Sequence, residues 1–217
     1  MNAVVAWILD LLYPPKCAFC RRLVSDSCMI CPACEKNLPY TNGRTGKRKL
    51  DTVSAVISPL LYEGTVREAM LRFKFQGAAV YSAVFGRLLA AEIEKSGIQA
   101  DAICWIPLSR KRLRKRGYDQ ARLLAEETAE RLHIPCMSLL EKTRNNPAQS
   151  GVLGREERKK NVSGVYRVSG KEVIEGKKIL LIDDIITTGA TMEEAARILQ
   201  QAGVKEVYGA AAATREI

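Results

Sequence analysis

Apolar runs alternate with amphipathic segments along most of this chain. Runs typical of buried strands lie at Thr52–Ile57, Ala102–Ile106, Val165–Val168, Ile179–Ile182 and Val204–Ala213. Apolar residues at helical spacing lie at Thr65–Phe73, Ala78–Ser96 and Tyr118–Leu132 and from Met192 onward. Thr65 and Glu68 form a capping-box pattern, and Gly97 and Gly203 are expected to end helices. Strands that alternate with helices predict an α/β fold with a parallel sheet and flanking helices.

Residues 1–50 do not follow this alternation, so we expect two domains, 1–50 and 51–217. The apolar stretch Val4–Ile8 lacks a basic region before it and is too short to span a bilayer, which favours one amphipathic helix packed on the domain. Gly43–Lys49 resembles a basic linker or hairpin tip. Nothing in the sequence points to export, and the predicted location is the cytoplasm.

The segment Ile179–Thr191, ILLIDDIITTGAT, combines a strand with candidate binding chemistry. Asp183 and Asp184 come at the end of the apolar run, where paired carboxylates can accept hydrogen bonds from two vicinal sugar hydroxyls. A turn follows whose backbone N–H groups, with the next helix N-terminus, can hold a phosphate. Its residues are Thr187, Thr188, Gly189, Ala190 and Thr191. The alternative is an ordinary βα turn, but an acid pair pressed against a hydrophobic strand is costly without partners.

Five of the seven cysteines fall between Cys17 and Cys34, which favours a metal site over disulfides. Two C-x-x-C turns supply the ligands of a predicted structural zinc site: Cys17, Cys20, Cys31 and Cys34. Four sulfur ligands leave no open position for catalysis. Cys28 could compete as a ligand, and a redox dithiol is the weaker alternative. Cys104 is expected in the core.

The net charge of +10 favours polyanionic partners such as nucleic acid or phosphorylated metabolites. Six of the seven residues from Arg110 to Arg116 are basic, directly after a predicted strand. Ligands of open α/β sheets bind outside the carboxyl ends of strands, so this cluster is placed to meet a pyrophosphate. The alternative is a solvated basic loop. The sole histidine, His133, follows a helix and offers no Ser-His-Asp chemistry.

These motifs together resemble the ComF family, whose members carry a zinc finger and a type I phosphoribosyltransferase-like domain. The resemblance spans nearly the whole chain: the cysteine pairs, Tyr62-Glu63-Gly64, Arg67, Lys74-Phe75-Gln76-Gly77, PLSRKRLRKRGYDQA, Gln149, Arg158, Asn161 and the Ile179–Thr191 segment. The chain departs from the family pattern at three positions. Histidine, proline and asparagine are usual where it has Ser109, Arg110 and Asp119.

The resemblance implies a site for 5-phosphoribosyl-1-pyrophosphate (PRPP) with Mg²⁺. Asp183 and Asp184 would hold the ribose hydroxyls, and Thr187 to Thr191 the 5′-phosphate. The pyrophosphate would meet Ser109, Arg110, Lys111 and Arg112. A flexible loop would close over the ligand, with candidate residues Gln149, Arg155, Arg158 and Asn161, unless this stretch is only a surface connection.

The resemblance also implies a cytoplasmic role in natural transformation, with single-stranded DNA and competence-machinery proteins as partners. Three functions stay open at this point. The protein could bind PRPP while handling incoming DNA, transfer ribose 5-phosphate to a nucleobase-like acceptor, or sense PRPP as a regulator. The sequence shows no nucleobase pocket and does not fix the oligomeric state, and fold and motif alone cannot separate these functions.

Overall fold

The computed structural model describes residues 14–25, 29–42, 50–143, 164–169 and 174–215. The helices are α1 Pro32–Asn37, α2 Gly64–Phe75, α3 Tyr81–Ser96, α4 Arg110–Arg116, α5 Gln120–Leu132 and α6 Ala190–Gln201. The strands are β1 Val56–Ile57, β2 Leu60–Leu61, β3 Ala102–Trp105, β4 Leu140–Lys142, β5 Tyr166–Val168, β6 Lys178–Ile186 and β7 Glu206–Thr214.

The main sheet is parallel in every pairing and confirms the predicted fold class. Its order is β1-β7-β6-β3, and β2 also pairs with β7. The two longest strands, β6 and β7, lie side by side at the centre. Their register pairs Leu181 with Gly209 and Asp183 with Ala211. Because the strands run in one direction, their carboxyl ends share one edge of the sheet, where ligands of such folds bind.

Apolar side chains fill a layer on each face of this sheet. Phe73, Phe85 and Leu124, from α2, α3 and α5, are fully buried in the first layer. Met192 and Leu199 from α6 are buried in the second. Strands covered on both faces read as continuous apolar runs, which explains the composition of Ile179–Ile182. β4 and β5 form a separate antiparallel pair.

The cysteine-rich segment packs directly on the first layer. Phe19 contacts Phe85 edge to face, with ring centroids 5.8 Å apart. The Arg72 guanidinium donates to the carbonyl oxygens of Ala18 and Phe19 at 2.9 and 2.8 Å. A loop of the cysteine-rich segment is therefore attached to the body through α2. The domain boundary predicted at residue 50 adjoins residues 43–49, which are outside the described ranges.

Two local predictions were wrong, and one segment differs from the alternative considered for it. α2 begins at Gly64 with Glu63 as N-cap and without a side-chain cap, so Thr65 lies inside the helix and makes no capping box. The basic segment Arg110–Arg116, for which a solvated loop was the alternative, is a helix, because Ser109 caps its start and Gly117, at φ +83°, ends it. β6 continues four residues past Ile182, because β7 pairs with it as far as Thr214.

The end of α5 follows the prediction, since His133 caps that helix in the left-handed region at φ +55°. Cys104 is buried as expected. No helix within the described ranges is long and apolar enough to cross a bilayer. Four predicted features lie outside those ranges: the helix near Val4–Ile8, the basic linker Gly43–Lys49, Cys28 and the loop residues Gln149, Arg155, Arg158 and Asn161.

Candidate functional site

The acid pair lies near the carboxyl end of β6, at the ligand-binding edge of the sheet. Asp184 forms an ion pair with Lys74 at 2.9 Å, and the two side chains are only 14% and 16% exposed. Asp183 Oδ1 accepts the backbone N–H of Asp184 at 2.8 Å. Lys74 belongs to α2, far away in sequence. The fold thus places a cation beside the carboxylates and offsets part of the cost of their burial.

The surroundings of Asp183 disfavour its charged form. Burial raises the pKa of its carboxyl group, and the adjacent Asp184 charge raises it further. Lys74, Lys142 and the Asp184 N–H oppose this rise without cancelling it. A carboxyl group in such surroundings gains stability from any ligand that donates hydrogen bonds or brings a cation. The site is therefore prepared for a hydroxyl-rich or metal-bearing ligand.

The turn after β6 carries the predicted phosphate-binding residues into α6. Gly189 has φ +82° and is the N-cap of that helix. A Cβ at Gly189 would lie 2.7 Å from Leu50 Cδ2, so both backbone conformation and space require glycine here. Thr188 Oγ1 accepts the Ala190 N–H at 3.5 Å. Thr187, Thr188 and Gly189 form the turn, while Ala190 and Thr191 begin α6.

Helix α4 divides its cations between two faces. Arg112 and Arg116, four residues apart, share one face and are partly buried, whereas Lys111, Arg114 and Lys115 are exposed. Arg116 interacts electrostatically with Asp184, and burial lowers the pKa of its guanidinium despite this attraction. The partly buried face of α4 therefore includes a cation close to the acid pair.

Two polar residues hold α4 against the end of β3. Ser109 is buried and its Oγ accepts the Arg112 N–H at 3.5 Å. Asp119 Oδ2 accepts the Leu108 N–H at 2.8 Å, and its Oδ1 accepts the Arg122 N–H at 3.3 Å as the N-cap of α5. Both residues depart from the family pattern noted above. Both residues cap helices here, Ser109 at the start of α4 and Asp119 at the start of α5, so these departures keep the two helices in place.

A third cation reaches the site from the β4–β5 pair. Lys142 pairs with Tyr166 across the two strands, and its Nζ donates to the Tyr166 hydroxyl at 3.3 Å. Burial lowers the pKa of Lys142 to about 8, Arg112 acts in the same direction, and Asp183 opposes it. An amine that is half-neutral near pH 8 can respond to the charge of a bound anion.

The structure brings together only part of the predicted pyrophosphate set. Ser109 is buried and Arg112 is partly buried on the inner face of α4. The Arg110 guanidinium instead pairs with the Glu141 carboxylate at 3.4 Å, and Lys111 is exposed. Sequence reasoning gave no site role to Lys74, Arg116, Lys142 or Asp119. The available signals were weak: Lys74 stands in the KFQG stretch at a helix end, and Arg116 lies one helical turn after Arg112.

The four predicted metal ligands converge in the N-terminal segment. The Sγ atoms of Cys17, Cys20, Cys31 and Cys34 all lie within 4.8 Å of one another. The Sγ atoms of Cys20 and Cys31 are 3.6 Å apart, too far for a disulfide. Four sulfurs around zinc at 2.3 Å would be about 3.8 Å from each other. The cluster thus fits one tetrahedral ion.

Backbone geometry also favours thiolate ligands. Burial raises the pKa of Cys17, but the N–H groups of Cys31, Cys20 and Phe19 outweigh it and lower the pKa to about 6. The Cys31 N–H lies 3.4 Å from Cys17 Sγ, and the Cys34 N–H lies 3.4 Å from Cys31 Sγ. Such N–H···S contacts stabilise negative sulfur. A structural zinc ion would be held by these four residues.

Two family models match separate ranges of this chain. The phosphoribosyl transferase domain matches residues 119–216, and the double zinc ribbon domain matches residues 8–47. Competence protein F of Haemophilus influenzae is 29% identical over 200 residues, covering 89% of this chain and 82% of the relative. Competence protein ComFC of Streptococcus pneumoniae is 34% identical over 146 residues, covering 67% and 62%.

Among solved structures, the chain is similar to a glutamine PRPP amidotransferase from B. subtilis complexed with ADP and GMP. The identity is 22% and the TM-score 0.43, with 64% of this chain matched to 30% of that one. The chain thus corresponds to less than a third of that enzyme's length.

Proposed function

Because the chain belongs to the ComF family, which joins a four-cysteine zinc ribbon to a phosphoribosyltransferase-like domain, we propose that it binds PRPP and acts in competence. The observation that carries the proposal is the acid pair Asp183–Asp184, flanked by a glycine turn and by cations from α2 and α4. Sugar hydroxyls, phosphate and pyrophosphate each find a suitable group at this one edge of the sheet.

The ligand would lie across the end of β6. Asp183 and Asp184 would accept from the ribose 2′- and 3′-hydroxyls, and the Thr187–Thr191 turn would donate N–H groups to the 5′-phosphate. The pyrophosphate would meet Ser109 and the partly buried face of α4. We extend the predicted set by Arg116, which interacts with Asp184, and by Lys142, which interacts with Asp183. Arg110 and Lys111 would contribute only to the longer-range field, because Arg110 pairs with Glu141 and both are exposed.

Mg²⁺ would accompany PRPP and stabilise its pyrophosphate as a leaving group. Burial and the Asp184 charge raise the pKa of the Asp183 carboxyl group. A nearby cation, or hydrogen bonds donated by two hydroxyl groups, would stabilise its ionised form and lower that pKa again. The protein itself would supply position and fixed charge rather than covalent chemistry.

The direct test is calorimetric titration of the zinc-loaded protein with PRPP and Mg²⁺. We expect Asp183→Asn/Asp184→Asn to weaken binding by at least about tenfold, because two charged acceptors are lost at roughly 1.5–3 kcal/mol each. The matched control is Glu94→Gln/Glu130→Gln, which removes the same charge from exposed positions on α3 and α5.

Whether PRPP binding becomes weaker or tighter distinguishes lost ribose contacts from a general effect of the removed negative charge. Removing two negative charges by itself favours an anion, so a field effect alone would tighten PRPP binding in both variants. Weaker binding in the acid-pair variant alone identifies the ribose contacts. Equal binding by wild type and the acid-pair variant would reject the proposed site.

The competence role implies contact with single-stranded DNA, and the charge of +10 supports it. We expect affinity for an oligothymidylate of about 20 nucleotides to fall steeply between about 50 and 200 mM salt. Absent or salt-independent binding would count against this part of the proposal.

Catalytic transfer is the second candidate, favoured by the transferase domain match. Pyrophosphate release from PRPP with one nucleobase would establish it, and a base panel without turnover would leave a PRPP binder or sensor.

A further inference from the structure

Phe75 is exposed and lies next to two cations that interact with Asp184: Lys74 precedes it in the chain and Arg116 contacts its ring. It is the last residue of α2, directly after Lys74, and its side chain is 61% exposed. The Arg116 guanidinium carbon lies 4.9 Å from the centroid of its ring, at cation–π distance. An aromatic ring with a guanidinium beside it is thus presented at the rim of the proposed PRPP site.

The packing of α2 does not account for this ring. Phe73, two residues earlier, is fully buried and lies 5.8 Å from the Phe85 ring and 5.9 Å from the Tyr118 ring. The Tyr118 hydroxyl also donates to the Phe73 carbonyl oxygen. The end of α2 is thereby held in the core by Phe73, while Phe75 contacts only the side chain of Arg116 among the ring and cation contacts of the described residues. An exposed aromatic on a rigid helix end is a surface on which a planar ligand can stack.

The helix whose Arg116 contacts this ring also carries exposed charge. Lys111, Arg114 and Lys115 are exposed within two turns of Arg116, the residue of α4 that contacts Phe75. Leu113, three residues before Arg116, is 40% exposed and adds apolar surface. One stacking surface, with a cation against it and three more exposed along the adjoining helix, matches a strand whose bases are unpaired and whose backbone carries a charge at every phosphate.

We infer that Phe75 and the exposed face of α4 form the surface that binds single-stranded nucleic acid, with one base stacked on the Phe75 ring and phosphates on Lys111, Arg114 and Lys115. This inference rests on the nucleic-acid part of the proposed function and gives it a location. Only 6% of the residues are aromatic, and a single stacking position predicts binding that depends on salt and tolerates sequence.

The test uses fluorescence anisotropy with labelled oligothymidylate of about 20 nucleotides and the full zinc-loaded chain. We expect Phe75→Ala to weaken binding by about fivefold or more, the equivalent of one lost base stack. Phe75→Trp should bind at least as tightly as wild type, because a larger ring replaces the phenyl group. Leu23→Ala is the matched control, since Leu23 is 65% exposed but lies on the zinc ribbon.

The charge contribution is tested separately. Arg114→Gln should reduce the slope of log affinity against log salt by about one, whereas Lys205→Gln, an exposed lysine before β7, should leave it unchanged. Oligouridylate in place of oligothymidylate tells whether the surface accepts RNA as well as DNA, and binding of either strand supports the inference.

Four outcomes would overturn it. Wild-type affinity in both Phe75→Ala and Arg114→Gln would place the strand elsewhere while leaving the proposed DNA binding intact. Absence of binding by wild type would remove the proposed DNA binding as well. If Phe75→Ala weakened PRPP binding and left oligothymidylate binding unchanged, Phe75 would belong to the sugar-phosphate site. If a protein partner bound through Phe75 and the chain had no affinity for nucleic acid, the surface would be a protein-binding surface instead.

Discussion

The ion pair between Lys74 and Asp184 makes the stability of the protein depend on one lysine of α2. We expect Lys74→Met to destabilise the protein because it leaves a buried carboxylate without its cation. At 2.9 Å, with an effective dielectric constant near 20, the gross attraction is about 6 kcal/mol. Breaking a buried pair from one side costs roughly 3–5 kcal/mol.

Two features of the site reduce this figure. Both side chains retain some exposure, at 16% and 14%, and Arg116 also attracts Asp184. We therefore expect a loss of about 2–3 kcal/mol in the free energy of unfolding. For a chain of 217 residues this lowers Tm by roughly 5–10 °C. Thermal unfolding followed by circular dichroism, with urea titration for the free energy, measures both quantities.

A second substitution tests the assigned cause. Asp184→Asn added to Lys74→Met should restore stability to within about 1 kcal/mol of wild type, because the unpaired charge is gone. Lys95→Met removes a lysine whose pair with Glu92 spans 3.7 Å and whose side chain is 75% exposed, and it should cost at most about 1 kcal/mol. A Lys74→Met protein as stable as Lys95→Met, or a double variant no more stable than the single one, would refute the reasoning.

The remaining predictions concern the turn, Lys142 and the cysteines. Gly189→Ala should destabilise by about 1–3 kcal/mol more than Gly97→Ala, because both have positive φ but only Gly189 also faces Leu50; equal unfolding free energies would contradict this. The affinity for PRPP should fall as pH rises through about 8, where Lys142 loses its charge, and Lys142→Met should flatten that profile in calorimetry between about pH 7 and 9. Chelation of zinc should lower Tm and abolish the Phe19–Phe85 packing signal in aromatic circular dichroism, as should Cys20→Ser but not Cys136→Ser at an exposed position.

Local sequence predicted the parts of the site that a single segment builds. Strand β6, the acid pair and the glycine turn are contiguous, so their order alone fixes their relation. The cysteine pairs were predictable for the same reason, since each C-x-x-C turn sets two sulfurs side by side. Sheet pairing then extended β6 beyond its apolar run, which periodicity could not foresee because Asp183 and Asp184 are polar.

The cations were harder because three different elements contribute them. Lys74, Arg116 and Lys142 come from α2, α4 and β4, and only tertiary packing decides which cations of a basic chain turn inward. Helix α4 itself was predictable in principle, since a serine before it and a glycine after it are ordinary caps. The run of like charges obscured that signal, because repulsion among neighbours disfavours an isolated helix.

The last four residues of α2 carry three of the contacts described above. Arg72 reaches the zinc ribbon, Lys74 reaches Asp184, and Phe75 lies beside Arg116. Each residue of a helix is turned by about 100° from the one before. A one-residue insertion between Arg72 and Lys74 would therefore rotate the last two away from their partners, whereas Gly77–Val80, outside any helix, could absorb a change in length. In a lineage of such proteins, gaps should accumulate after this helix and not within its final turn.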